Sequence, residues 1–293
     1  MKRPNFFILG APKCGTTALA HWLAHHPKVF MPRIKEPHFF NTDMKNRSVP
    51  ISSDYERLFD GAGPQHIAIG EASTWYLVSQ KAVPGILDWN ANARFIVMTR
   101  DPIEMARSLH HHNLRVLNED EPDFPRAWEL QFERCQGKAI PASCVEPAVL
   151  QYRQACSLGE QLTRLLLLAD PAKVLHLTLE GMQEDPRAGY LKALDFLGLE
   201  DDGRTDFSVL NQARGHRSRI LQRLIRIAGR WRSKMGLRKG FGLARLNETA
   251  RPKAPLAEDV RIRLLGEFEA DRILFQKALT VLTAAAEARN AAQ

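Results

Sequence analysis

The sequence predicts an α/β protein built on a parallel sheet covered by helices on both faces. Three observations lead there. Short, mainly apolar runs recur along the chain at Phe6–Leu9, His66–Gly70 and Ala93–Thr99, as strands buried on both faces require. Stretches with helical spacing lie between them, so strand and helix alternate. The first run passes directly into a glycine-containing bend and a helix start, Gly10-Ala11-Pro12-Lys13-Cys14-Gly15-Thr16-Thr17.

Taken in order, the opening strand gives way to a helix capped by Thr16 or Thr17. It carries Ala18, Leu19, Trp22 and Leu23, and His26-Pro27 ends it. Val29–Met31 is a brief extended piece. Pro32 and Pro37 exclude regular helix from Ile34-Lys35-Glu36-Pro37-His38-Phe39-Phe40. Residues 41–65 read as loop and a short helix around Tyr55, Leu58 and Phe59. His66–Gly70 is the second buried strand, with Glu71–Tyr76 at its end, where open α/β sheets place ligands. Lys81–Asp88 is predicted helical.

Ala93–Thr99 is the clearest strand, and Arg100 ends it. Asp101 caps and Pro102 opens a helix through Ile103, Met105, Ala106, Leu109, Leu114 and Leu117. Its consecutive histidines His110, His111 and His112 point in different directions. They cannot converge on one metal ion and are read as surface residues. Asn118–Pro147 is loop-rich, with a helix over Arg126–Cys135. Ala148–Ala169 is predicted as one long helix and Lys173–Leu179 as a further strand. Asp185-Pro186 opens a helix that Gly198 closes.

The chain reads as one domain over 1–293, with an α/β core to about 210 and a basic helical region over 211–293. Arg214–Lys239 is rich in arginine and lysine and contains no acid. Ile220, Leu221, Leu224, Ile225, Ala228 and Trp231 add an apolar stripe, which predicts a basic amphipathic helix. Pro252 and Pro255 mark a linker. A final helix from Leu256 carries Leu264, Leu265, Phe268, Ile273, Leu274 and Leu279, and Ala284–Gln293 is expected to fray.

Composition sets bounds. The 293 residues carry a net charge of +8, which favours anionic ligands without choosing among nucleotide, nucleic acid, membrane and acidic glycan. The apolar run after Lys2-Arg3 is too short for a signal peptide and no segment could span a bilayer, so a cytoplasmic location is expected. Cys14, Cys135, Cys144 and Cys156 show neither a Cys-x-x-Cys pair nor a zinc spacing and read as free thiols. Cys14 sits beside Lys13 at a helix start, which allows a lowered thiol pKa and a redox role as a minor alternative.

The bend after the first strand is an anion site. The first amides of a helix are unpaired, the dipole adds positive charge, and Lys13 and two hydroxyls add donors. Gly10 and Gly15 have the spacing of the triphosphatase loop, but Thr16 stands where that loop needs lysine. Lys35, Glu36 and His38 fall within four positions. They form either a solvated loop anchored by Phe39 and Phe40 or a catalytic loop with Glu36 as general base. Arg100 and Ser108 could meet on one anion.

Pro12–Thr17 resembles the 5′-phosphosulfate loop of sulfotransferases that use 3′-phosphoadenosine 5′-phosphosulfate (PAPS). Arg94–Pro102 with Ser108 resembles their 3′-phosphate strand and helix. Lys35–Phe40 resembles the catalytic segment of glycosaminoglycan-type and bacterial members, and Asp185-Pro186 with Phe196-Leu197-Gly198-Leu199 is similar to a late segment of theirs. The likeness covers roughly residues 5–210. It implies a three-layer α/β sandwich with a central parallel sheet and a P-loop-like phosphosulfate-binding loop after the first strand. By this likeness Lys13, Cys14, Gly15, Thr16 and Thr17 hold the 5′-phosphosulfate. Arg100, Ser108 and, from the C-terminal region, Arg217 or Arg219 hold the 3′-phosphate. Glu36 is the base, with Lys13 and His38 assisting.

PAPS is then the co-substrate and adenosine 3′,5′-bisphosphate (PAP) the product, with no metal. The acceptor is a hydroxyl, less readily an amine, of a carbohydrate, lipid or natural product. Ala72 departs from the lysine that glycosaminoglycan-type members carry there, which argues against carrying over a heparan-like acceptor. The competing readings are a P-loop small-molecule kinase and a basic module binding RNA or membrane. Nucleic acid is not an expected partner of the enzyme, and 214–239 could add a peripheral membrane contact.

Overall fold

A computed structural model describes residues 3–208, 214–216, 248–250 and 255–291. The centre is a five-stranded parallel sheet in the order β2-β3-β1-β4-β5. Its strands are β1 (Phe6–Gly10), β2 (Val29–Phe30), β3 (Ala68–Ala72), β4 (Arg94–Thr99) and β5 (Val174–Thr178). The flanking helices are α1 (Thr16–Ala24), α2 (Ser52–Arg57), α3 (Ala82–Trp89), α4 (Pro102–Arg115), α5 (Phe124–Glu129), α6 (Gln131–Cys135), α7 (Tyr152–Cys156), α8 (Leu158–Leu168), α9 (Leu179–Glu184), α10 (Pro186–Leu197) and α11 (Glu258–Ala291). A short antiparallel pair joins β6 (Arg214–His216) to β7 (Glu248–Ala250).

Every residue of β1 is buried, as the uninterrupted Phe6-Phe7-Ile8-Leu9 run demands of a central parallel strand. From β1 the chain builds β2 and β3 on one side, then crosses to β4 and β5 on the other. The strand order reverses beside β1, so the carboxyl ends of β1 and β4 border the crevice where such sheets bind ligands.

Three predicted elements of the α/β core differ in the structure. The second strand starts at Ala68 rather than His66. The Asn5 side chain donates to Ile67 O and accepts from Ile69 N, both at 2.8 Å, and Lys28 O accepts from Ile67 N and Ala68 N. The ladder thus begins two residues later and carries Glu71 into the strand. The helix predicted over Arg126–Cys135 is two short helices, α5 and α6, meeting at Leu130. The long helix predicted over 148–169 is a 3₁₀ turn at Pro147–Leu150, then α7, then α8. The breaks fall at Gln151 and Ser157, whose ψ of 74° in both cases leaves the helical region.

The second break is capped from far away in the sequence. The Asp271 carboxylate on α11 accepts from Gly159 N at 2.9 Å and Glu160 N at 2.8 Å, amides that a continuous helix would have used internally. The two helices run so close that a Cβ on Gly159 would stand 2.0 Å from Asp271 O. Asp271→Ala is expected to cost about 1 kcal/mol, the usual value of such a cap, and to lower the melting temperature by about 2 °C. A thermal melt checks it.

On α11 the buried residues are Leu264, Phe268, Ala278 and Leu282, a stripe at helical spacing that joins the main core. Leu265, Ile273 and Leu274, named with them from the sequence, are exposed. Nor does the alanine-rich end fray before Ala291: the Arg289 guanidinium lies 5.1 Å over the Phe196 ring and donates to Ala172 O. The basic helix predicted from Arg214 begins instead as strand β6. The rest of it, including Arg217, Arg219, the apolar stripe and the suggested membrane contact, lies outside the described residues. Among the described residues no helix is long and apolar enough to cross a membrane.

Candidate active site

The bend after β1 is shaped by close packing. Gly10 has φ 142°, and a Cβ there would meet Thr74 O at 2.5 Å, so a side chain cannot stand where β1 turns against the 73–77 segment. Ala11 N donates to Met98 O at 2.7 Å, which ties the bend to β4. Gly15, left-handed at φ 88°, is the N-cap of α1. No side chain caps the helix and no acid occupies its first turn. The expectation that Thr16 or Thr17 is the cap is therefore corrected: both fall in the first turn. A left-handed glycine turns the chain without a capping oxygen, which leaves the first amides as donors for an anion.

Cys14 is also corrected. Its side chain is buried, with Sγ 3.5 Å from Pro12 O and 3.7 Å from Met105 Sδ. Burial pushes the thiol well up, and the charges of Arg100 and Lys13 offset this only in part. That removes the low-pKa redox alternative. The fully buried Cys14 side chain serves packing, and its amide donates to Ala11 O.

Arg100 leaves the end of β4 and donates from Nη1 to Lys13 O at 3.4 Å, which brings these two predicted residues together. Its Nε is buried and has no partner. Ser108 is half-buried on α4, and His112 lies one turn further along the same face. The histidine run, expected at the surface, is only partly so: His111 and His112 are half-buried. His110 is buried and its Nε2 lies 2.8 Å from Glu121 O. His112 is pushed down to about 4 by burial, with Lys13 and Arg115 adding to the shift and Glu36 opposing it. It is a neutral imidazole within electrostatic reach of both the loop lysine and the candidate base. The run looked like surface because α4 packs on more than one side, which its own periodicity does not reveal.

The Glu36 segment crosses the end of β3. Glu36 N donates to Ala72 O, His38 N to Ser73 Oγ, and Phe39 N and Phe40 N to the Tyr76 hydroxyl. Phe39 stacks on Tyr55 with centroids 4.3 Å apart, so the aromatic anchor of the blander reading is real and serves to hold the loop. Glu36 and His38 have φ of 61° and 51°, left-handed values that side chains adopt at a cost. The Glu36 carboxylate meets Lys35 Nζ at 2.5 Å, His38 Nε2 at 3.6 Å and Thr74 Oγ1 at 3.3 Å. Burial raises its pKa, but the nearby His38 imidazole and the charge and hydrogen bond of Lys35 outweigh that. They hold it well below the usual carboxylate range. A depressed folded-state value means that this stabilisation is complete above the unfolded value and is lost only as pH falls through the folded one, so Glu36 stays ionised across the neutral range.

Sequence reasoning missed His112, Thr74 and the pair Ser73 and Tyr76. The signal for His112 was its spacing of four from Ser108. Among the described residues no group of three or more His, Cys, Asp or Glu side chains is placed to hold a metal. A groove of about 660 Å³ between α5–α7 and α11, lined by Trp128, Arg153 and Glu267, lies apart from this site. Its lining sets Glu129, Glu160, Glu267 and Asp271 against Arg153 and Arg263, a net acidic balance that does not favour an anion.

Residues 3–240 match the family described as sulfotransferase domain. The chain belongs to the sulfotransferase domain family. This sulfotransferase-family chain is 29% identical over 248 residues to human carbohydrate sulfotransferase 15, covering 67% of its own length and 44% of that protein. It is 31% identical over 114 residues to the membrane-associated sulfotransferase kil1 of Dictyostelium discoideum, covering 39% of its own length and 24% of that protein. The chain thus spans less than half the length of these curated relatives. Among solved structures, a sulfotransferase from Alicyclobacillus acidocaldarius aligns with a TM-score of 0.64 at 27% identity. The match covers 84% of this chain and all of that one.

Proposed function

We propose that the protein transfers a sulfuryl group from PAPS to a hydroxyl, less readily an amine, of a glycan or small-molecule acceptor. The observation that carries this reading is the contact that brings Arg100 to the Lys13 loop, with Glu36 near enough for its charge to act on the same imidazole, His112, as the Lys13 charge.

The donor fits the residues present. The uncapped start of α1, with Lys13, Gly15, Thr16 and Thr17, would receive the 5′-phosphosulfate. The unpartnered Arg100 Nε marks a donor awaiting an anion, which suits the 3′-phosphate, and the half-buried Ser108 on the following helix, α4, is the second candidate donor. In the reaction the acceptor oxygen forms a bond to sulfur as its proton passes to Glu36. The bond from sulfur to the phosphate oxygen breaks, and its electron pair leaves with PAP. Lys13 and the α1 amides stabilise the charge that grows on that oxygen. Because the attacking and leaving oxygens must lie in line, much of the rate comes from holding both substrates in place.

Equilibrium binding tests the donor: PAP is expected to bind and ATP to bind far more weakly. Arg100→Ala should weaken PAP by about 10- to 100-fold, the range for a charge-assisted contact, and leave adenosine 5′-monophosphate within about 2-fold. Equal losses for the two nucleotides would remove Arg100 from the 3′ site, and preference for ATP would overturn the reading. Radiolabelled donor against a panel of glycans, lipids and phenols identifies the acceptor.

A further inference from the structure

We propose that Glu71, which touches no reacting group, is a positioning residue: its buried carboxylate orients the hydroxyls of Ser73 and Tyr76 so that they hold the Glu36 loop in its working shape. The inference rests on Glu36 being the base.

Glu71 lies inside β3 with no exposed surface. A carboxylate so placed needs partners, and here these are hydroxyls rather than a dedicated cation. Ser73 Oγ donates to Oε1 at 2.6 Å and Tyr55 OH donates to Oε2 at 3.3 Å, and the Tyr76 hydroxyl lies close enough to the carboxyl to favour its charged form. Each hydroxyl has one proton. Once that proton points at Glu71, only lone pairs face outward. Those lone pairs meet three successive amides of the base loop: His38 N at 3.0 Å from Ser73 Oγ, and Phe39 N and Phe40 N at 2.9 and 3.2 Å from Tyr76 OH. Amides only donate. The chain of bonds is consistent in direction when its root is a group that only accepts, which is an ionised carboxylate. The loop it holds contains the left-handed Glu36 and His38, which need such restraint.

The groups that face Glu71 are Ser73 from the end of β3, Tyr55 from α2, Tyr76 from the following turn, and Lys35, which acts through its charge from the base loop. Burial pushes the carboxyl up to about 7, and these groups pull it back only in part. As pH falls through that value Glu71 gains a proton, which it must donate into the cluster, reversing one bond and loosening an amide. Glu36 remains ionised throughout this range. On this proposal the acid-side loss of rate comes from Glu71.

The test follows PAPS consumption with water as the acceptor, a probe that needs no knowledge of the natural one, from about pH 5.5 to about 8.5. Hydrogen exchange of the amides at 38–40 is measured in parallel and corrected for intrinsic rate. In the wild type both rate and protection should fall below pH 7. Glu71→Gln cannot ionise and should give a flat profile about 10-fold below the wild-type plateau, with PAP affinity within about 2-fold. Ser73→Ala keeps the carboxyl and should lose a similar amount at the plateau; it serves if Glu71→Gln does not fold. The two together should be no slower than Glu71→Gln alone. An acid limb that persists in Glu71→Gln, or PAP affinity that falls in step with rate, overturns the proposal. If Glu36→Gln leaves turnover intact, the base assignment fails instead, and the exchange data still decide whether Glu71 holds the loop.

Discussion

Glu36→Gln is expected to lower sulfuryl transfer by about 10²- to 10⁴-fold, the range for removal of a general base, while PAP binds within about 2-fold of its wild-type affinity. The substitution preserves size, and the amide oxygen can still meet Thr74 Oγ1, which lies 3.3 Å from the carboxylate in the wild type. What is lost is the capacity to take a proton, together with the ionic half of the contact with Lys35 Nζ. The contact of Arg100 with the Lys13 carbonyl is built by β4 and the β1 bend and does not depend on that charge. Single-turnover measurements with labelled donor and direct titration with PAP separate the two effects. Turnover retained at more than about a tenth of the wild-type rate would move the proton-accepting role to His38 or His112.

The second large effect lies outside the site. Arg134 and Glu119 form an ion pair whose side chains are both 0% exposed. The guanidinium bonds both carboxylate oxygens, at 2.7 and 2.6 Å, and Arg134 Nε donates to Ala139 O. Tyr152 OH and the amides of Asp120 and Glu121 complete the carboxylate's partners. Arg134→Met removes the cation and strands a buried charge, which should cost about 3–5 kcal/mol and lower the melting temperature by about 10 °C. Adding Glu119→Gln should restore at least half of the loss, because the stranded charge and not the missing bond is the larger penalty.

Glu119 gives this prediction a pH signature. Burial raises its pKa, but the Arg134 hydrogen bond, the neighbouring amide and Tyr152 outweigh that and lower it. The pair therefore stabilises the fold above the unfolded carboxylate value, and that contribution fades as pH falls through the lower folded value. Without Arg134 the carboxylate takes up a proton more readily, so the gap between variant and wild type should narrow on acidification. Thermal melts of the three proteins at neutral and mildly acid pH check both points. A variant that melts with the wild type, or a double substitution that only adds damage, would contradict the account.

The sheet was legible in the sequence because its central strands are apolar on both faces and end at glycine or arginine. Phe6–Leu9 and Phe95–Met98 could hardly be anything else. The anion bend and the Arg100 turn were legible through local chemistry. What the sequence concealed depends on contacts between distant segments. Glu71 read as a polar residue at a strand end, because nothing local shows that Asn5 and Lys28 delay the start of β3. The break before α8 could not be read from 148–169, since its cause is a carboxylate on α11. His112 looked like one of three interchangeable histidines until the packing of α4 brought it within reach of the Lys13 charge.

That carboxylate has a bearing on how the molecule assembles. Asp271 stands 112 positions beyond the amide it satisfies at Gly159. Closing so wide a loop is entropically slow, and the reward arrives only when both ends are present. A nascent chain emerging from the ribosome can pair its early strands, yet α8 stays without its cap until Glu258–Ala291 has been synthesised and has docked. Completion of the core is thereby tied to completion of the last helix.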